Sequence, residues 1–294
     1  QPSPGGARSI YVWGRPLAFV CFVQVLTGVM LWLGYSPSAK TAWESVYYIQ
    51  HEMTLGWLVR GMHHFAAQAM VVLLVFHLVQ VVIDGAYRAP REINFWLGLV
   101  LMQIVLGLGL TGYLLPWDQK GYYATQVATG IMGSTPVVGS SLQQLIQGGS
   151  EYGHHTLTRF FALHAGLLPG LLVLFLFLHI YVFRRHGLTV KEKHQTDVVD
   201  LFWPDQELKD AIACLAVLAA IMFLSIWKGA ELTAPANPAE AYDAARPEWY
   251  YLFLFRFLKF PWVSQAGEVT GLGEALGAVV LPGLLMPALA LFHD

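Results

Sequence analysis

Six apolar stretches constrain this chain more than any other feature: residues 16–35, 62–83, 93–115, 163–183, 211–227 and 273–292. Each reaches or approaches the ~20 residues a helix needs to cross a bilayer. Backbone polar groups have no water to bond to in hydrocarbon, so segments of this kind are predicted to be helices. Charge is scarce: 12% of the 294 residues are charged and 56% are hydrophobic, against roughly 25% charged in a soluble domain. A surface of this size without those charges excludes a soluble protein. The predicted class is an all-α integral membrane protein, and no nucleic-acid partner is expected.

Basic residues alternate between loops. Arg8 and Arg15 precede the first span, Arg88 and Arg91 follow the second, and Arg184, Arg185, Lys191 and Lys193 follow the fourth. The other loops hold only Lys40, then Lys120 and Arg159, then Lys228 and Arg246. The richer set faces the cytoplasm by the positive-inside rule. Both termini are then expected inside, with loops 36–59, 116–160 and 229–262 on the opposite, positive side. Cys21 and Cys214 both lie inside spans and read as small packing residues, with no disulfide framework or metal motif. The start of the chain is polar and flexible and its first apolar block is a full span, so no cleavable signal peptide is expected. Residue 1 is Gln and not an initiator Met, so residues upstream are expected to be missing.

Four histidines fall inside two spans in an ordered way. Ionisable residues at that depth are costly and usually functional. His63 and His77 are 14 residues apart, and His164 and His179 are 15 apart. At 3.6 residues per turn, 14 residues end within ~40° of four full turns, so His63 and His77 share a face about 21 Å apart along the axis. His64 points ~140° away from His77 and is the weaker candidate. The 15-residue pair is offset by ~60°, which a kink at Pro169 would absorb. The two helices run in the same direction, so His63 matches His164 at one level and His77 matches His179 at the other. Each pair is a bis-imidazole clamp for a planar macrocycle, and a haem iron so held has no open position, which suits electron transfer. The alternative is hydrogen-bonded packing or proton-relay histidines.

Glycines repeat the spacing. Gly14 and Gly28 are 14 apart in the first span, and Gly98 and Gly112 are 14 apart in the third. Glycine lets a flat group approach a backbone, so haem edges are expected against these two helices. Membrane helices also use glycine simply to pack. Arg60 lies one turn before His63 and is a candidate partner for a haem propionate, or else an interfacial anchor. The loop between the fifth and sixth spans carries Arg246-Pro247-Glu248-Trp249-Tyr250. A carboxylate among aromatics at the membrane edge either accepts a proton from a bound hydroxyl or belongs to an aromatic belt.

Pro247-Glu248-Trp249-Tyr250 resembles the PEWY motif of the cytochrome b subunit of cytochrome bc1 and b6f complexes. The four histidines, the four glycines, Gly112-Tyr113-Leu114-Leu115-Pro116-Trp117-Asp118-Gln119 and Leu157-Thr158-Arg159-Phe160-Phe161 are similar to the same family, from about Tyr11 to the end of the chain. The resemblance implies a four-helix diheme bundle over residues 1–205 and a C-terminal region, 206–294, with the PEWY loop and two further transmembrane helices. It implies two haems b held by His63, His77, His164 and His179, with Gly14, Gly28, Arg60, Gly98, Gly112 and Arg159 in the cofactor's surroundings. It implies quinol oxidation at the positive side, with Glu248 taking a proton and Tyr113, Pro247, Trp249, Tyr250 and segment 121–139 lining the pocket. One electron would go to a Rieske-type iron–sulfur protein. The other would cross by the two haems to a second quinone pocket, where Lys209 and Asp210 resemble the family's lysine–aspartate pair. A c-type cytochrome subunit, a homodimeric complex and an energy-transducing membrane (the bacterial cytoplasmic membrane) complete the implied setting.

Departures from the family pattern are informative. The 15-residue spacing and Trp117-Asp118-Gln119 resemble the b6f type, yet PEWY follows in the same chain. Val12 stands where that type has the cysteine for an extra haem, so no covalent third haem is expected. Gln80 occupies the place of a common propionate-binding arginine. The sequence stops after six spans, so the remaining family helices are expected to be absent, truncated away or supplied by a separate subunit. Two rivals fit six spans: a diheme membrane anchor of a dehydrogenase or hydrogenase, and a haem-free proton-relay transporter. Neither accounts for PEWY together with the glycine period.

Overall fold

The computed structural model describes residues 12–135, 137–187, 201–242, 246–258 and 260–270. The order of helices is α1 (Gly14–Trp32), α2 (Ala42–His51), α3 (Gly56–Ile83), α4 (Glu92–Tyr113), α5 (Gln119–Gly133), α6 (Gly139–Gln147), α7 (His154–Phe161), α8 (Leu168–His186), α9 (Glu207–Trp227), α10 (Leu252–Leu258) and α11 (Pro261–Thr270). Among the described residues there is no strand, only an isolated bridge between Asp118 and Pro235. Among the described residues five runs are long and apolar enough to cross a membrane: Gly14–Trp32, Gly56–Ile83, Glu92–Tyr113, His154–His186 and Phe202–Trp227. They match the first five predicted spans, and the sixth, 273–292, lies outside the described residues. Large apolar side chains such as Phe22, Phe177 and Ile226 are exposed on these helices. Helices apolar all round suit lipid as the solvent. The chain is a multi-pass membrane protein.

The described residues fall into two compact units. The first comprises α1, α3, α4 up to Val105, α8 from Leu171, and α9. Within it α1 packs on α3, and α9 packs on both. The α3–α9 contact is close because Gly61 faces Ser225: a Cβ at Gly61 would lie 3.0 Å from the Ser225 Cβ, the small-residue approach that membrane helices use in place of a hydrophobic driving force. At one end, Arg15 ties α1 to α9, with 2.8 Å to Glu207 and 3.4 Å to Asp210.

The second unit comprises residues 35–47, the chain from Leu106 to Gly170, and the described residues from Leu232 onward. Its core is built on Ala42, Leu114, Trp117, Tyr122, Leu157 and Phe160. The corner after α4 is a clasp. Trp117 takes a left-handed backbone (φ 50°), and Asp118 caps α5 by accepting the Gly121 N–H at 2.9 Å. The other Asp118 oxygen accepts the Thr233 N–H at 3.1 Å. Backbone bonds from Gln119 N–H to Ala234 O and from Ala236 N–H to Trp117 O, both 2.9 Å, continue the pairing. The Gln119 side chain accepts the Asn237 N–H at 3.1 Å. The Trp-Asp-Gln stretch therefore holds the strap that leads toward Glu248.

Between α7 and α8, residues Ala162–Leu167 form a π-helical turn, with the Leu168 N–H reaching back to the Leu163 carbonyl. A widened turn absorbs one extra residue, which is what a 15-residue spacing needs to behave as a 14-residue one. The sequence reading assigned this offset to a kink at Pro169. The structure places it in the turn just before that proline, where widening also relieves the contact between the ring and the carbonyl four residues back.

Candidate functional site

The first unit brings His77 of α3 and His179 of α8 opposite each other, with ring centroids 6.5 Å apart and planes nearly perpendicular at 83°. Both line one cleft, with Gly14, Gly98, Arg91 and Asn94 among its walls. Two metal–imidazole bonds of about 2 Å, with about 1.2 Å from each nitrogen to its ring centre, put trans imidazole centroids roughly 6.4 Å apart. The observed separation fits a single metal atom between the rings. Among the described residues no three His, Cys, Asp or Glu side chains converge on a metal site, and a haem iron asks the protein for only two.

Tautomers can be assigned at three of the four histidines. His179 Nδ1 lies 3.0 Å from the Asn94 carbonyl and His164 Nδ1 lies 3.0 Å from the Leu108 carbonyl. A carbonyl only accepts, so Nδ1 carries the proton in both rings and leaves the Nε2 lone pair available. His63 Nδ1 lies 2.9 Å from Thr27 Oγ1. That hydroxyl already donates to the Val23 carbonyl at 2.7 Å, so it accepts from the imidazole. Thr111 repeats the arrangement: it donates to the Gly107 carbonyl at 2.8 Å and sits 3.3 Å from His164 Nδ1. A ring N–H held by a carbonyl or hydroxyl is the usual support of a metal-bound histidine. Nδ1 of His77 is buried without a partner.

The four glycines stand against the histidine rings themselves. A Cβ on Gly14 would lie 3.9 Å from His77 Cε1, on Gly28 3.3 Å from His63 Cε1, on Gly98 3.3 Å from His179 Cε1, and on Gly112 2.5 Å from His164 Cε1. The shared 14-residue period thus has a direct cause: each glycine is the notch for one imidazole. The helical carbonyl four residues before Gly98 and before Gly112 is the one that accepts from the ring. Sequence reasoning missed Thr27 and Thr111, although the repeated Thr-Gly pair at 27–28 and 111–112 was the available signal.

Arg60 is engaged with the protein. Its guanidinium donates to Gln50 Oε1 at 2.8 Å, to the Ala230 carbonyl at 2.8 Å and to the Glu231 carbonyl at 2.6 Å, so it fastens the start of α3 to the chain after α9. Arg159 donates to the Leu145 carbonyl. Asp210, 4% exposed, accepts from Gln206 at 2.9 Å beside its contact with Arg15, while its neighbour Lys209 shares the first turn of α9.

Glu248 stands at the start of the short turn Trp249–Tyr251. Tyr113 donates to the Arg246 carbonyl at 3.2 Å, and Tyr251 donates to the Leu106 carbonyl. The Tyr250 hydroxyl lies 2.7 Å from where a Gly109 Cβ would stand, so this ring is keyed into α4. Burial, then the neighbouring Tyr251 and Glu248, push the Tyr250 hydroxyl well above the ordinary tyrosine range, and it stays protonated. Trp249 is half exposed and edge-on to Tyr250. A separate polar cleft of about 580 Å³ in this unit is lined by Tyr122, Gln126, Gln143, Gln147, Glu151 and Tyr152 among others, and neither Glu248 nor Tyr113 is part of it.

Two imidazoles therefore line one cleft inside a helical membrane unit, and comparison with known proteins gives the family. The family model described as cytochrome b (N-terminal)/b6/petB matches residues 68–244. The chain is 42% identical over 190 residues to the menaquinol:cytochrome c reductase cytochrome b subunit of Bacillus subtilis (strain 168), covering 64% of this chain and 85% of that protein. It is 37% identical over 254 residues to the cytochrome bc complex cytochrome b subunit of Chlorobaculum thiosulfatiphilum, covering 85% of this chain and 59% of that one. A solved structure titled hyperthermophilic respiratory Complex III superposes with a TM-score of 0.84 at 26% identity, over 99% of this chain and 76% of the other. This chain belongs to the cytochrome b (N-terminal)/b6/petB family.

Proposed function

We propose that this chain is the diheme cytochrome b subunit of a quinol-oxidising bc-type complex. The observation that carries the reading is the His77–His179 pair in one cleft, whose ring centroids, 6.5 Å apart, leave room for one iron between them. His63 and His164 are assigned as the second pair because each presents Nε2 from a ring whose Nδ1 is held and whose edge rests on a glycine. Haems held by these two pairs would supply reversible one-electron carriers across the membrane.

The protein's own part is to hold, orient and exclude. The Nδ1 bonds fix the ring planes, and the glycine notches let the ligand helices approach α1 and α4. Glu248 takes a proton from quinol at the positive side, with Tyr113, Pro247, Trp249 and Tyr250 shaping its surroundings. The Asp118 clasp and the Tyr250–Gly109 contact position that loop. Lys209 and Asp210 belong to a second quinone pocket on the opposite side, so proton release and uptake occur on different faces. The partners are a Rieske-type iron–sulfur protein and a c-type cytochrome, in a homodimeric complex of the bacterial cytoplasmic membrane with the N-terminus inside.

Glu248→Gln tests the catalytic assignment. In the purified complex the variant slows quinol oxidation by about 10²–10⁴-fold, the scale of a lost general base, while the haem content per chain is unchanged. Wild-type turnover by the variant, or loss of haem from it, refutes the role.

A further inference from the structure

The cleft between His77 and His179 is apolar along most of its length, with Leu78, Val81, Leu99 and Met102 in its walls, and polar at Gln80, Asp84, Arg91 and Asn94. Among the described residues lining it, Arg91 is the one cation. Its guanidinium is anchored to the end of α8: Nε donates to the Gly187 carbonyl at 3.4 Å and an Nη to the His186 carbonyl at 3.2 Å. This holds a positive charge beside the slot on a fork that presents five N–H donors in one plane. Three residues on, Asn94 accepts the His179 ring N–H on its backbone carbonyl, while its side-chain Oδ1 is buried without a partner. The two ends of an amide are assigned from their partners, and the reversed amide turns this orphan acceptor into a donor.

A b-type haem carries two carboxylates on one edge. In a slot like this they are strongly disfavoured unless paired with a cation and hydrogen-bond donors. We propose that Arg91, with Asn94, receives the carboxylate edge of the haem held by His77 and His179; the proposal rests on the bis-histidine reading above. Asp84 shares the polar region, so without Arg91 those carboxylates would face a like charge. Arg91 then raises the midpoint potential of this haem, because a positive charge nearby favours the more negative, reduced state.

The test is a redox titration of the purified complex, with the His77–His179 haem identified as the transition lost in His179→Leu. Arg91→Gln lowers the midpoint of that transition alone. Arg91→Lys, which keeps the charge and loses the fork, stays near the wild-type value, and Asp84→Asn shifts the midpoint upward. If Arg91→Gln sheds this haem, retention in Arg91→Lys supports the charge role. An unshifted midpoint in Arg91→Gln, an equal drop in Arg91→Lys, or haem loss from both, overturns the proposal and leaves Arg91 as a cap on α8. Absence of any b-type transition in the wild-type protein instead removes the bis-histidine reading beneath it.

Discussion

Substituting each notch glycine by alanine separates the histidine notches from ordinary helix packing. At Gly112 the new Cβ would lie 2.5 Å from His164 Cε1, 3.0 Å from Nδ1 and 3.2 Å from Nε2. An ordinary contact is nearer 3.5–4.0 Å, so the ring must retreat by about 1 Å. That retreat also draws Nδ1 off the Leu108 carbonyl, now 3.0 Å away. Overpacking of this kind costs about 1–3 kcal/mol, and loss of the supported N–H adds about 1 kcal/mol. Against this, alanine gains up to about 1 kcal/mol over glycine in a helix interior. The net is a destabilisation of about 1–3 kcal/mol at Gly112. At Gly14 the Cβ meets His77 Cε1 at 3.9 Å, no retreat is needed, and the helix gain stands alone. Gly28 and Gly98, both at 3.3 Å, fall between. The assay is haem retained per chain after purification, with the midpoint of each b-type transition. The expected order of loss is Gly112→Ala, then Gly28→Ala and Gly98→Ala together, with Gly14→Ala close to wild type. Equal loss at all four positions, or loss at Gly14 with none at Gly112, would refute the notch argument.

Two further expectations follow from the same contacts. Thr27→Val leaves the His63 Nδ1–H without its acceptor, which makes the imidazole a weaker donor, so the midpoint of the haem bound by His63 rises while the other stays put; redox titration reads both. Asp118→Ala removes acceptors for the Gly121 and Thr233 amides, each bond to a carboxylate contributing about 1.5–3 kcal/mol. Amide exchange over residues 232–237 then accelerates strongly, and unchanged protection there would contradict the clasp.

The histidine and glycine positions were legible in the sequence because helical period converts spacing directly into direction. Spans were legible because lipid demands length and apolarity. What held the rings was not. A backbone carbonyl such as that of Asn94 or Leu108 has no side-chain signature, so the partners of His179 and His164 emerge only from packing. The widened turn at Ala162–Leu167 was visible only as an awkward 15-residue spacing, and Pro169 drew attention to the wrong residue of the right region. Arg60 was legible as a cation one turn before His63, but its bonds to Gln50, Ala230 and Glu231 reach partners that no local pattern announces. The Trp117-Asp118-Gln119 corner resembled a family motif without revealing that it grips residues 233–237.

The most direct test of the central claim is a potentiometric titration of the purified protein followed by visible absorption, with haem counted per chain. Two low-spin b-type transitions at distinct midpoints, with two haems per chain, are the predicted result. A single transition would mean that one histidine pair serves packing alone, and none would contradict the account of all four.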